Sequence, residues 1–185
     1  MVRPLDDHWT TGRVVLRRSD LHAPLHLKIC GVSMGLKASK PVPVRGPVQD
    51  GKIRVCVAGF GFSHHTGKAR KVAETIVTAY PNDFESWFYF DTAGYRGNGG
   101  FLPTLKAELS EQDQEKFKNH KSSPFCWLEM EDGSKQGLGG RDNLCEWVAA
   151  NEKFADNQAL KELASNEPGF GDVWVDESPG SADAP

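Results

Sequence analysis

The stretch VCVAGFGFSHHTGKARKVAETIV, residues 55–77, decides the fold predicted for this chain. Its first residues are apolar and mostly β-branched, which predicts a buried strand. A turn with glycines follows, and then a helix for which Thr66 is the predicted N-cap. The apolar residues of that helix share one face: Ala69, Val72, Ala73 and Ile76. The stretch therefore predicts a strand–turn–helix unit, with polar residues in the turn.

The residues after this unit continue to alternate between strand and helix. Strands are predicted over 84–92 and 122–130, a helical region over 101–120 and a last helix over 139–151. The helical residues expected to be buried are Phe101, Leu102, Leu105, Leu109, Leu144, Trp147 and Val148. Asp132-Gly133 predicts a hairpin into a short fourth strand. The order predicts an α/β domain, with a mixed four-stranded sheet flanked by three or more helices.

Composition divides the chain of 185 residues into three regions. Residues 1–50 carry eight Lys or Arg against four Asp or Glu, contain a predicted strand at 13–18, and end in a proline-rich linker. Residues 51–150 form the predicted folded domain. Residues 151–185 carry two basic against eight acidic residues and form a polar tail after one short helical stretch. The tail also carries isolated apolar residues, which indicate docking onto a surface: Phe170, Val173, Trp174 and Val175.

Several classes of protein do not fit this composition. No run of about 18 apolar residues occurs, so a membrane span is not expected. No dense Lys/Arg stripe occurs, so nucleic-acid binding is not expected either. The four cysteines are widely spaced, which disfavours a disulfide framework or a zinc site and favours a reducing compartment: Cys30, Cys56, Cys126 and Cys145. The sequence does not identify that compartment; the cytoplasm fits, and so does an organelle matrix or stroma if a presequence has been removed.

Residues 51–150 resemble a glutaredoxin, a member of the thioredoxin-fold family. Three landmarks carry the resemblance, and the first is the strand–turn–helix unit. The second is Ser123-Pro124 at the third strand, where the family has Thr-Val-Pro with a cis proline. The third is Gly139-Gly140-Arg141-Asp142, where the family has two glycines and an acidic residue that holds glutathione. The resemblance implies a thioredoxin-like fold, with the terminal regions as extended arms.

The resemblance places four polar residues at the positions of the family's Cys-Pro-Tyr-Cys motif: Ser63, His64, His65 and Thr66. Thiol–disulfide exchange needs a thiolate, which the N-terminus of a helix stabilises by lowering the cysteine pKa. A serine hydroxyl cannot take this role, so we expect neither redox chemistry nor binding of an iron–sulfur cluster. The run FGFS at 60–63 is similar to the family's Cys-Gly-Phe-Ser motif, but that register would displace the helix by three residues.

The resemblance implies a glutathione site that is only partly kept. Its remaining members are Ser123, Pro124, Gly139, Gly140 and Asp142. Phe60 replaces the lysine that the family places three residues before its cysteine, so weak binding or none is expected. Arg141 is a candidate replacement for that cation. No other cofactor and no metal is expected.

Alternatives to these interpretations remain open. His64 and His65 fit a structural role or a metal or general-base role, and Cys126 fits a buried or a reactive thiol. The glycines at 139–140 fit a tight entry to a helix as well as a ligand site. The preferred function is a non-catalytic structural or interaction subunit, which docks through both terminal arms onto protein partners in a larger assembly. The alternatives are a transferase-type enzyme that uses Ser63 with glutathione, and a glutathione sensor without turnover.

Overall fold

The computed structural model describes residues 41–96, 99–169 and 172. Four strands run over Ile53–Gly59 (β1), Phe84–Phe90 (β2), Phe125–Met130 (β3) and Lys135–Gly139 (β4). Five helices run over His64–Ala79 (α1), Phe101–Ala107 (α2), Glu111–Phe117 (α3), Arg141–Ala150 (α4) and Gln158–Ser165 (α5). A single 3-10 turn, Glu152–Phe154, precedes α5. The predicted alternation of strands and helices is confirmed.

The four strands form one mixed sheet in the order β2-β1-β3-β4. β1 and β2 are parallel, because α1 carries the chain back to the end of the sheet at which β1 began. β3 runs antiparallel to both β1 and β4. The predicted Asp132-Gly133 hairpin joins β3 to β4, with Gly133 at φ +81° and a Met130 N–H bond to the Ser134 carbonyl at 2.9 Å. The predicted α/β class and mixed four-stranded sheet are therefore confirmed.

Alternation along β1 divides the buried residues into two clusters on opposite faces of the sheet. Val55 and Val57 face α1, α4 and α5, while Cys56 and Ala58 face α2 and α3. The first cluster extends past residue 150, because Phe154 and Leu160 are fully buried in it. The second is strongly aromatic, and its buried rings belong to Trp87, Tyr89, Tyr95, Phe101, Phe117, Phe125 and Trp127.

The end of the proline-rich linker packs against the aromatic cluster. Residues 41–48 have no regular secondary structure, and Val48 is buried. The Arg45 guanidinium lies over three rings, 5.2 Å from the centre of Trp87, 5.7 Å from Trp127 and 5.9 Å from Phe101. It also pairs with Glu108 at 2.7 Å, so this part of the linker is fixed to the domain by a cation inside an aromatic cage.

A second arginine joins the same segment to the sheet. Arg54, on β1, is buried and donates to the carbonyl groups of Gly46 and Pro47, both at 2.8 Å. Its guanidinium also pairs with Glu85 on β2 and Glu129 on β3, at 2.6 and 3.0 Å. The carboxylates and carbonyls together satisfy this buried charge, as a charge removed from water requires.

Some predictions fall outside the described residues. These are the strand at 13–18, Cys30, the remainder of the basic extension, and the tail residues Phe170, Val173, Trp174 and Val175. Within the part of the chain that the structure describes, no helix has the length and apolar character needed to cross a bilayer.

Candidate functional site

Ser63 begins helix α1 as its N-cap. Its backbone is extended, at φ −88° and ψ 122°, and its hydroxyl accepts a bond from the Thr66 N–H at 3.4 Å. The prediction that Thr66 caps the helix is wrong, because α1 starts at His64 and Thr66 is fully buried in the first turn. Ser63 therefore lies where the amide groups of a sixteen-residue helix point into the turn.

Thr66 and Ser123 join the start of α1 to the segment before β3. Their hydroxyl groups are 3.0 Å apart, and the Ser123 hydroxyl also accepts a bond from the Phe60 N–H at 2.7 Å. Gly59 makes this contact possible, because a Cβ there would lie 2.5 Å from Ser123 Oγ and 2.6 Å from Thr66 Oγ1. The Ser123-Pro124 peptide bond is cis, as the resemblance implies for this position. The structure therefore brings Thr66 and Ser123 together.

The predicted glycine pair joins the end of β4 to the start of α4. Gly139 has φ +120°, and a Cβ there would lie 2.7 Å from Asn143 Oδ1, so the backbone itself requires glycine. Gly140 is the N-cap of α4, and a Cβ built on it would lie 4.0 Å from the Pro124 carbonyl oxygen. Gly140 thus lies beside the cis proline, and Asp142 is in the first turn of α4 with its side chain 73% exposed.

Arg141, the candidate replacement cation, is engaged by two carboxylates. It pairs with the neighbouring Asp142, and with Glu167 at 3.0 Å. A different arginine lies next to Phe60: the guanidinium carbon of Arg96 is 4.4 Å from the centre of the Phe60 ring. A cation therefore lies beside Phe60, the residue that the resemblance aligns with the family's lysine. This contact was not predicted from the sequence, because Arg96 lies in a loop 36 residues further along the chain.

The described cysteines are poorly suited to form thiolates. Cys56 and Cys126 are fully buried, as predicted, and burial raises the pKa of both thiols. Burial also raises the pKa of Cys145, which is half-buried on α4. Because only a thiolate attacks a disulfide, these three protonated thiols are poor nucleophiles at neutral pH.

The two histidines at the start of α1 are differently placed. His64 is half-buried and His65 is exposed. Within residues 41–96, 99–169 and 172, no group of three or more His, Cys, Asp or Glu side chains is arranged to hold a metal ion. His8, His22 and His26 lie outside the described residues.

Phe62 is an exposed aromatic residue directly before the N-cap. It has φ +62°, and 71% of its surface is exposed. An L-residue with a Cβ adopts this left-handed conformation at a cost of about 1–2 kcal/mol. Sequence reasoning aligned Phe62 with an aromatic position of the family but did not predict its exposure or its backbone strain.

The site as a whole is an arrangement of polar backbone and hydroxyl groups. The start of α1, the cis proline and the start of α4 contribute to it. It offers hydrogen-bond donors and acceptors, and Ser63 stands at the N-terminus of α1. Comparison of the chain with protein-family models, with curated proteins and with solved structures finds no match.

Proposed function

We propose that this chain contains a glutaredoxin-like module of the thioredoxin fold that has lost thiol chemistry and serves as a structural or interaction subunit of a larger protein assembly. The β2-β1-β3-β4 order, with one parallel pair and one hairpin, supports the fold assignment. The cis proline adjoining the start of α1 supports the assignment of the site. Docking through the basic N-terminal arm and the acidic tail is part of the proposal.

The observation that carries this proposal is the serine at the N-terminus of α1. The Ser63 hydroxyl accepts the Thr66 N–H bond that would otherwise stabilise a thiolate. A hydroxyl at this place stays protonated near neutral pH and cannot form a disulfide. The buried thiols of Cys56 and Cys126 offer no substitute.

Phe62 supports the interaction role. A large apolar side chain kept in water by a strained backbone is a recurrent feature of recognition sites. Val44 is also strongly exposed, at 92%, and it lies in the segment that Arg45 fixes to the domain. Both side chains offer apolar surface that a partner protein would cover.

A second candidate, glutathione binding, is favoured by Arg96. Its guanidinium lies over the ring of Phe60, whose N–H bonds to Ser123 just before the cis proline, and it supplies a cation for the glycine carboxylate of glutathione. The helix N-terminus at Gly140 suits the second carboxylate. Such binding is compatible with a sensor, or with a transferase-type reaction at Ser63.

The native assembly state tests the proposal. We expect the native protein to elute in a defined complex larger than the recombinant chain, and Phe62→Ala to weaken that complex without lowering thermal stability. Gln136→Ala, an exposed change on β4, is the control and should assemble normally. A native monomer would contradict the subunit role, and calorimetric titration with glutathione separates the second candidate from the first.

A further inference from the structure

A cleft of about 670 Å³ lies beside α2 and α3, with basic side chains around it. Its basic lining residues come from three segments of the chain: Arg96, Lys106, Lys118, His120 and Lys121. Leu102 and Pro103 of α2 supply an apolar part of the wall. The volume is in the range that encloses a small molecule rather than a macromolecule.

The positive charge of this cleft is largely unneutralised. No Asp or Glu is among the lining residues, and Lys118 pairs with Glu115 outside them. In the part of the chain that the structure describes, Arg96, Lys106 and Lys121 form no ion pair with a carboxylate. By contrast, the half-buried Arg45 and the buried Arg54 each have carboxylate partners.

Lys106 is held in place before any ligand arrives. Its ammonium group donates to the carbonyl oxygens of Lys118 at 2.9 Å and His120 at 3.3 Å. An ammonium has three N–H donors, so these two bonds leave one for a ligand. Partial burial and the charge of Lys121 lower the pKa of Lys106. The cation is thus preorganised close to another positive charge.

His120 lies close to the positive charges of Lys106 and Arg96. Burial lowers its pKa, and the charges of Lys106 and Arg96 lower it further, although bonds to the Pro124 and Ser122 backbone oppose them. Its imidazole lies against the rings of Phe117 and Phe125, at 6.4 and 5.0 Å between centres. A ligand with several negative charges would relieve the repulsion among these groups.

We propose that this cleft binds a small phosphate-bearing molecule. A phosphate group presents several acceptor oxygens with more than one charge, which matches several separate cationic donors converging on one space. The apolar wall formed by Leu102 and Pro103 has room for an organic body attached to the phosphate. The cleft shares Arg96 with the glutathione candidate but does not include Ser63, and the phosphate proposal does not depend on the subunit role proposed above.

Calorimetric titration of the full chain with inorganic phosphate, pyrophosphate and ADP at low ionic strength tests the site. Lys121→Gln changes an exposed side chain and should weaken pyrophosphate binding about tenfold or more, without unfolding the domain. Lys106→Gln should do the same. Lys161→Gln is the matched control, because Lys161 also donates to a backbone carbonyl, that of Ala155 at 2.6 Å, outside the cleft lining.

The results separate the possible ligands. Tighter binding of ADP than of pyrophosphate supports a ligand with an organic body, and equal affinity overturns that part of the proposal. No binding by the wild-type chain at millimolar concentrations, or equal losses in Lys121→Gln and Lys161→Gln, overturns the site itself. Tighter binding of an oligoglutamate peptide than of pyrophosphate also overturns it, in favour of an acidic protein segment.

Discussion

Replacing Gly59 by alanine should destabilise the domain by disturbing the contact between Thr66 and Ser123. The new Cβ would lie 2.5 Å from Ser123 Oγ, 2.6 Å from Thr66 Oγ1 and 2.9 Å from Thr66 Cγ2. Neither oxygen can retreat freely, because the hydroxyls bond to each other at 3.0 Å and Ser123 also holds the Phe60 N–H at 2.7 Å. Two weakened hydrogen bonds, together with local overpacking, give an expected loss of about 1–3 kcal/mol.

Urea denaturation measures this loss as a change in the free energy of unfolding. Gly61→Ala is the control, because a Cβ at Gly61 meets nothing within 4 Å. Thr66→Ala removes two of the three close contacts, so Gly59→Ala should cost less in that background than alone. If Gly59→Ala is within about 0.5 kcal/mol of Gly61→Ala, the interlocked geometry of the site is wrong.

Three further changes test other parts of the structure. Phe62→Gly should raise the free energy of unfolding by about 0.5–1 kcal/mol, because glycine adopts the positive φ without strain, whereas Phe62→Ala keeps the strain. Equal effects of the two changes in denaturation experiments would contradict this prediction. Arg45→Ala should lower the free energy of unfolding by about 2–4 kcal/mol, because it empties the aromatic cage and leaves Glu108 without this partner. A loss below about 0.5 kcal/mol by the same method is the order expected for a surface change, and it would refute the role of the 41–48 segment. Because the pKa of His120 is lowered in the folded domain, the unfolded chain binds this proton first as the pH falls. The stability contributed by neutral His120 is therefore complete above about pH 6.5 and is lost as the pH falls from there through the pKa of the folded state. Unfolding measured over a pH series should show a smaller loss of stability in acid for His120→Gln than for wild type, and parallel curves would contradict this prediction.

The sequence predicted the order of strands and helices because periodicity is local information. The alternation in β1 and the apolar stripe of α1 follow directly from residue spacing. The N-cap of α1 was misplaced because its first apolar contact residue, Ala69, comes more than a turn after the true start. The polar residues between Ser63 and Ala69 carry no periodic signal, so only the observed hydrogen bond identifies the cap.

The contacts that sequence reasoning missed join residues far apart in the chain. The cage around Arg45 uses rings from β2, α2 and β3, and Arg96 reaches Phe60 from a distant loop. The basic cleft likewise combines α2 with the segment before β3. Such juxtapositions depend on tertiary packing, which the pattern of a single sequence does not encode.

Glutathione-dependent reduction of a small disulfide, measured on the wild-type chain and on Ser63→Cys, tests the central claim most directly. We predict no turnover above background for wild type, and in Ser63→Cys an introduced thiol whose pKa lies below the ordinary value of about 8.5. Ser110→Cys, at the exposed N-cap of the short helix α3, is the control and should give a smaller decrease. Wild-type turnover that persists when Cys30, Cys56, Cys126 and Cys145 are all replaced by serine, or an introduced thiol at position 63 with an ordinary or raised pKa, would contradict the account.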